Sequence, residues 1–167
     1  FINKIEHNKI IFINGMISDV DFSYEDQTKI LLIKDLNQNE SFKEVNSLVS
    51  LNNAFISSYL KLTIKENYSL NKPLIIYNVT TKDLKSAAIN LKTNIILEKN
   101  SSLKLVTLFD DNSKDNFINI VQNFNIGKDA VLKNYTIDNK QNSNIKYFYN
   151  NIDLEKNSVS ENFIFST

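Results

Sequence analysis

The chain has 167 residues, and its 19 basic and 19 acidic side chains give a formal net charge of +0 at pH 7. This balance gives no electrostatic basis for binding nucleic acid or an anionic membrane surface. Cys is absent, which excludes disulfides, thiolate catalysis and thiolate metal ligation by this chain and fits a reducing compartment.

The N-terminal part predicts short strands. The segment Lys9–Ile17 predicts a strand, a turn and a second strand, because Asn14-Gly15 is the strongest short turn signal in a sequence. Ile30–Leu36 predicts another short strand.

A helical region follows. Ser41 with Glu44 three residues later forms a capping box, a signature of a helix start. A helical spacing near 3.6 then relates Leu48, Leu51, Asn52, Phe55 and Tyr59. We therefore expect one or two helical segments between about residues 41 and 59.

From Leu60 onward the chain predicts only strands. The segments alternate or are rich in β-branched and aromatic residues, and Asn, Asp, Ser and Lys separate them. The predicted strands are Leu60–Ile64, Pro73–Val79, Ala87–Leu91, Asn94–Leu97, Leu103–Phe109, Phe117–Ile126, Ala130–Ile137, Ile145–Ile152 and Val159–Phe165. Since the chain has only two Gly, Asn must take many turn positions that favour left-handed geometry.

A short turn motif recurs at a nearly constant spacing. Glu98–Leu103 returns 29 residues later as Gly127–Leu132 and 28 residues after that as Glu155–Ser160, and Lys65–Leu70 is a looser copy upstream. A fixed period of this size indicates stacked units that bury their apolar faces against their neighbours. A sandwich or barrel gives no reason for such self-similarity, so the pattern favours an all-β fold, a parallel β-helix with a short helical segment near the N-terminus. We divide the chain into N-terminal strands plus helix (1–60) and β-helix coils (61–167).

Candidate sites for chemistry are few. His7 is the sole His and is expected to be exposed near the terminus; one His without Cys or clustered carboxylates does not build a transition-metal site. Asp110, Asp111 and Asp115 could bind Ca²⁺ weakly, but they lack EF-hand spacing and predict a solvated loop. A second acidic run also predicts a surface loop, and it comprises Asp19, Asp21, Glu25 and Asp26.

No motif of an enzyme is found in the sequence. There is no nucleophile elbow, no phosphate-binding Gly loop and no paired carboxylates that stand out. Tyr147-Phe148-Tyr149 could be a stacking platform, but a strand with Phe148 on one face and both Tyr on the other explains it better. We therefore expect no catalytic, cofactor-binding or metal-binding residue in this segment.

Several segments of the chain resemble, in order, consecutive segments of one known protein family. Ile10 to Gly15 resembles a segment that precedes the core. The run near the start of the core is matched by Ser50–Phe55, Leu62–Ile64 and Asn71–Ile76. Later coils are matched by Asn94–Leu97, Ser101–Leu108, Phe117–Ile120 and Ile126–Ile137. Together these segments resemble the SufB/SufD family, and most closely its SufD branch. The SufB branch fits less well, because its scaffold uses cysteines.

The resemblance implies a right-handed parallel β-helix from the SUF iron–sulfur cluster assembly machinery. In that family SufD is a non-catalytic cytoplasmic subunit that pairs with a SufB paralogue and a SufC ATPase, and the cluster is assembled on the full complex. We expect the chain to be a piece of a longer protein, without the helices that receive SufC and without the last coils. No functional residue is carried over, since His7 is at the wrong end to match the family's His.

Two further expectations remain open. A carbohydrate-active or adhesin-type β-helix is the alternative function, and a carboxylate cluster with Lys on one face would favour it. Self-association through Val159 to Phe165 is expected, because a truncated β-helix exposes an unpaired end coil.

Overall fold

The computed structural model describes residues 5–34, 46–138 and 143–166. These residues form one α-helix, α1 (Ser47–Ala54), a 3-10 helix (Gln27–Lys29) and eleven strands. The strands are β1 (Asn8–Ile13), β2 (Met16–Asp21), β3 (Ile30–Ile33), β4 (Ser58–Ile64), β5 (Leu74–Thr80), β6 (Ala88–Leu97), β7 (Ser102–Asp111), β8 (Phe117–Ile126), β9 (Val131–Asp138), β10 (Ile145–Leu154) and β11 (Val159–Ser166).

The strands form two sheets that the chain visits alternately. Sheet A has the order β11-β9-β7-β5-β1-β2, and sheet B has the order β10-β8-β6-β4-β3. From β4 onward each coil places one strand in sheet B and the next in sheet A, and equivalent strands of successive coils pair in parallel. The chain is therefore a parallel β-helix of about four coils, as the repeat predicts.

The predicted strands agree closely with those observed, with two differences. The predicted strand Ile30–Leu36 is observed as Ile30–Ile33, and residues 35 and 36 lie outside the described residues. Ala87–Leu91 and Asn94–Leu97 are predicted as separate strands but lie in the single strand β6. Lys92 and Thr93 interrupt the apolar pattern, yet both are buried and continue the ladder to β8. Each coil thus has two long strands.

The N-terminal end of both sheets is closed by antiparallel strands. β2 pairs with β1 in sheet A, and β3 pairs with β4 in sheet B. The Asn14-Gly15 turn joins β1 to β2, and both residues have positive φ, 51° and 83°. The edge strand β2 carries exposed charges, which disfavour pairing with a further strand.

The repeated motif forms the turns between sheet B and sheet A, and these turns stack. Glu98 N–H donates to the Ile64 carbonyl oxygen, and Gly127 N–H donates to that of Leu97. The third residue of each turn is left-handed, with φ between 56° and 59°, and these residues are Asn67, Asn100, Asp129 and Asn157. The prediction that Asn replaces Gly at turns is confirmed.

The interior between the sheets contains an apolar core that extends through successive coils. Inward side chains of successive coils lie above one another; Leu62, Ile95 and Phe124 form one such column. Each is completely buried. These side chains are buried against neighbouring coils rather than within one coil, and this burial stabilises the stack of coils.

Helix α1 covers the outer surface of sheet B and lies within the predicted helical region, residues 41 to 59. Its cap is Asn46, whose side chain accepts from Leu48 N–H and Val49 N–H. The predicted capping box, Ser41 and Glu44, lies outside the described residues. The expected apolar stripe Leu48, Leu51 and Phe55 is exposed, while Val49 and Asn52 face the sheet. Tyr59 belongs to β4.

Candidate functional site

His7 is half-buried rather than freely exposed, so the prediction for this residue is wrong. Its Nε2 lies 2.9 Å from the Tyr77 hydroxyl oxygen and its Nδ1 lies 2.6 Å from the Ile5 carbonyl oxygen. Burial raises the pKa of the Tyr77 hydroxyl. These contacts tie the segment before β1 to β5 and make His7 a structural residue.

The acidic run of Asp19, Asp21, Glu25 and Asp26 is only in part a surface loop. Asp19 and Asp21 lie in β2, and Asp26 caps the 3-10 helix by accepting from Thr28 N–H at 2.9 Å. Glu25 is almost completely buried. The prediction is therefore wrong for Asp19 and Asp21, because a charged run in a short edge strand has no strand signature of its own, and it is wrong for the buried Glu25. Asp26 is exposed, as predicted.

Four donors surround the Glu25 carboxylate. Its Oε1 accepts from Asn8 Nδ2 at 2.7 Å and Lys72 N–H at 3.0 Å, and its Oε2 accepts from the Tyr68 hydroxyl at 2.7 Å and Asn71 N–H at 2.9 Å. Burial alone would raise the pKa of Glu25, but these hydrogen bonds outweigh burial and hold that pKa below its ordinary value. The carboxylate joins the N-terminal strands to the first coil.

The cluster of Asp110, Asp111 and Asp115 divides between surface and interior. Asp115 lies in the loop after β7, with φ of 59°, and accepts from the Ser143 hydroxyl at 2.7 Å. Asp110 is exposed at the end of β7. Asp111 is buried and faces inward, so for this residue the prediction of a solvated loop is wrong.

Asp111 belongs to a buried ion-pair cluster that sequence reasoning missed. Lys146 Nζ lies 2.6 Å from Asp111 Oδ2, also contacts Asp138, and lies 5.1 Å from the centroid of the Phe109 ring. The signal was available: in β10 the alternation that directs Phe148 inward also directs Lys146 inward. A buried charge requires such partners.

The aromatic run on β10 matches the structural interpretation. Phe148 packs on the core and meets Phe109 edge to face, with ring centroids 6.0 Å apart. Tyr147 faces outward and its hydroxyl accepts from Asn46 Nδ2 at 3.0 Å. The two Tyr therefore do not form an open platform with Phe148.

Within residues 5–34, 46–138 and 143–166, no group of three or more His, Asp or Glu is arranged to hold a metal ion. In the same ranges, no helix is long and apolar enough to cross a lipid bilayer.

The outer surface of sheet A is apolar over most of its width. Two adjacent outward columns cross its strands, as the ladder registers show. One contains Ile75, Val106, Tyr135 and Phe163; the other contains Ile11, Tyr77, Leu108, Ile137 and Phe165. We call these two columns the apolar face. Their exposure rises toward β11, where Phe163 is 48% and Phe165 54% exposed. Tyr135 and Phe163 stack, with centroids 5.4 Å apart.

The outer surface of sheet B is polar by comparison. Asn90, Asn94, Asn119, Asn123 and Asn125 lie on it, and α1 covers its middle. The two outer surfaces therefore differ in chemistry. Contiguous apolar patches, unlike single scattered apolar residues, mark interaction sites on soluble proteins. The apolar face is therefore the candidate functional surface.

Comparison with known proteins gives a family. A family model described as "SUF system FeS cluster assembly, SufBD core domain" matches residues 78–167, which is more than half of the chain. No curated protein matches the chain. The matched part runs from within β5 to the end of β11 and so contains most of the stacked coils. The chain belongs to the SufBD core domain family of the SUF system, which assembles iron–sulfur clusters.

Proposed function

We propose that this chain is a non-catalytic, SufD-type scaffold subunit of a SufBCD-type assembly complex in the cytoplasm. Its partners in the full-length protein would be a SufB-like paralogue and a SufC-like ATPase. The iron–sulfur cluster is the product assembled on the whole complex. The family membership supports the role in cluster assembly.

The observation that carries the scaffold role is the apolar face of sheet A. Its two columns extend across β5, β7, β9 and β11 without a charged residue inside either column on those strands. Lys104 and Lys133 lie only at its border, and Lys133 is paired with Glu161 at 3.1 Å. An apolar centre with a charged rim is the usual organisation of a protein–protein interface.

The stacked coils also suit a mechanical role. Equivalent turns are joined by backbone hydrogen bonds and the lumen is packed with buried side chains. Close-packed interiors transmit displacement because they do not deform piecemeal. A partner bound on one side of the stack can therefore be positioned relative to a partner at its end.

Co-purification of the full-length protein with its SufB-like and SufC-like partners under anaerobic conditions tests the proposal. We expect a stable complex, and Ile137→Lys on the apolar face should weaken it at least tenfold. Asn125→Lys adds the same charge to the exposed outer surface of sheet B and serves as the matched control. Failure of the unmodified protein to associate, or equal effects of the two variants, would contradict the proposal.

The carbohydrate-active alternative receives less support. Its expected signature is a carboxylate cluster with Lys on an accessible face. The cluster of Lys146, Asp111 and Asp138 lies inside the coils, with the Asp111 side chain only 3% exposed. A second group of carboxylates with one Lys lines an accessible pocket of about 540 Å³, and it comprises Glu66, Glu98, Lys99, Asp153 and Glu155. The alternative is therefore disfavoured by the family match rather than by the burial of charge.

A further inference from the structure

The lumen of the β-helix changes from apolar to polar along its axis. Four cross-lumen pairs show this, each pair flanking one stacked turn: Leu60 and Ile76, Thr93 and Thr107, Gln122 and Thr136, Asn150 and Ile164. In the last three coils both members are seven residues from the left-handed turn residue. Only the first coil is apolar at this level.

A neighbouring column shows the same change. Leu74 and Leu105 are followed by Asn134 and then Asn162 in register. Asn134 Nδ2 donates to Asn162 Oδ1 at 3.1 Å. The polar positions are therefore contiguous, both along the axis and between adjacent columns.

Six side-chain oxygens in this band are buried without a hydrogen-bond partner among the described residues. They are Thr93 Oγ1, Thr107 Oγ1, Gln122 Oε1, Asn134 Oδ1, Thr136 Oγ1 and Asn150 Oδ1. Thr107 is 0% exposed, and Gln122 and Asn134 are each 1% exposed. Leaving this many buried polar atoms unpaired would cost a free energy comparable to the whole net stability of a domain of this size.

At Thr136 the polar band also reaches a cavity of about 260 Å³ beside β10 and β11, which is partly open to solvent. Thr136, Asp138, Lys146 and Ser166 contribute its polar lining, and Phe109 and Phe148 line its apolar side. A buried water takes roughly 30 Å³ and needs two to four polar partners. The cavity is large enough and polar enough for several.

We propose that the lumen from Thr93 to Asn150 is a water-binding site, in which a file of ordered water molecules bridges the six unpaired oxygens and continues to the Lys146 cluster. Water suits these positions because it both donates and accepts, whereas an ion would lack a charged partner at Thr93, Thr107 or Gln122. The bound water is then an integral part of the last three coils.

Isosteric substitutions of Thr by Val test this proposal, because a lumen with bound water and a dry lumen predict opposite changes in stability. Replacing a hydroxyl that binds water by a methyl removes a partner of that water and lowers stability. Replacing an unpaired hydroxyl in a dry lumen removes a penalty and raises stability. We therefore expect Thr107→Val and Thr136→Val each to lower the midpoint of urea unfolding.

The matched control is Thr63→Val, at a buried position on the outer side of β4 whose hydroxyl is not among the unpaired atoms. Magnetic relaxation dispersion of water ¹⁷O on the unmodified chain counts long-lived internal waters independently of any variant. We expect several, with a loss of at least one in Thr107→Val. A raised midpoint in both lumen variants, or the absence of long-lived waters from the unmodified chain, would overturn the proposal.

Discussion

Asparagine is the residue that makes the turns between the sheets possible. Asn67, Asn100 and Asn157 are left-handed, as is Asp129 at the equivalent position. This conformation directs the backbone N–H along the stack, so that Asn67 N–H donates to the Lys99 carbonyl oxygen at 2.9 Å and Asn100 N–H to that of Lys128 at 3.0 Å. Asn and Asp tolerate left-handed geometry better than other residues with a Cβ.

Two substitutions of Asn100 separate the contributions of its backbone conformation and of its side-chain hydrogen bond to the free energy of unfolding. Asn100→Ala should lower the free energy of unfolding by about 1–2 kcal/mol, because a β-carbon without a compensating amide is strained at this φ. Asn100→Gly loses the same hydrogen bond to Asn67 Oδ1 but relieves the strain, so its loss should be smaller. Urea denaturation measures both. Equal losses would show that the amide contact, and not the conformation, is the main contribution.

Glu25 illustrates how a single carboxylate can hold two parts of the chain together. All four of its partners are donors, two on each oxygen. Tyr68 also accepts from Asp26 N–H at 2.9 Å, so its hydroxyl is fixed in a donating role toward Glu25. Only an ionised carboxylate satisfies this arrangement fully.

Glu25→Gln should destabilise the chain by about 2–3 kcal/mol at pH 7, because an amide nitrogen would face two donors in place of an acceptor. The pKa of Glu25 is lowered in the folded chain, so the stabilisation is present above the unfolded pKa and is lost as pH falls through the folded pKa. The difference between the unmodified chain and the variant should therefore shrink below about pH 4. Urea titrations at pH 7 and pH 3 measure it; a constant difference would contradict the assignment.

These two residue types differ in how far the sequence predicts them. The turn Asn and Asp residues recur near the repeat spacing, three of the four directly after a Lys, and this local signal sufficed. Glu25 has no local signal, because Asn8, Tyr68, Asn71 and Lys72 reach it only when β1 pairs with β5. Lys146 is an intermediate case. The alternation of side chains along β10 predicts that it faces inward, but it does not identify Asp111 and Asp138 as its partners.

At the scale of elements, α1 shows why an apolar stripe can mislead. The helical spacing relates Leu48, Leu51 and Phe55, and an apolar stripe of this kind usually faces a core. The surface beneath α1 is polar, however, and Asn52 Nδ2 donates to the carbonyl oxygens of Leu91 at 3.0 Å and Asn119 at 2.9 Å. Asn119 Nδ2 in turn donates to the Leu48 carbonyl oxygen at 2.9 Å. Hydrogen bonds to two strands, together with Val49, position the helix.

Asn52→Ala should therefore lower the free energy of unfolding by about 1–3 kcal/mol, because it removes two buried hydrogen bonds between α1 and sheet B. Leu51→Ala is the matched control on the exposed side of the same helix, where Leu51 is 38% exposed. Its effect should stay within about 0.5 kcal/mol. A larger loss for Leu51→Ala than for Asn52→Ala would indicate that the apolar side of α1 carries the packing instead.

At the scale of the whole molecule, the two ends of the stack differ. The N-terminal end is closed by the antiparallel strands β2 and β3. At the other end, β10 and β11 are the outermost strands described, and the apolar side chains there are exposed, including Ile164 at 64%. The coil repeat made the fold predictable, but this asymmetry and the apolar face depend on which strands become neighbours.

The exposed strand β11 leads to the final prediction, which concerns association of the 167-residue chain with itself. β11 pairs with β9 on one side, and among the described residues no strand pairs with its other edge. This edge, with Phe163, Ile164 and Phe165 exposed, presents both backbone hydrogen-bonding groups and apolar area to a second copy. Sedimentation equilibrium should therefore show a concentration-dependent dimer or larger species. Phe165→Lys should shift the equilibrium toward monomer by at least tenfold, since a charge at a strand edge disfavours pairing, whereas Asn125→Lys on sheet B should leave it unchanged. A monomer at the highest concentration measured would contradict association through this strand.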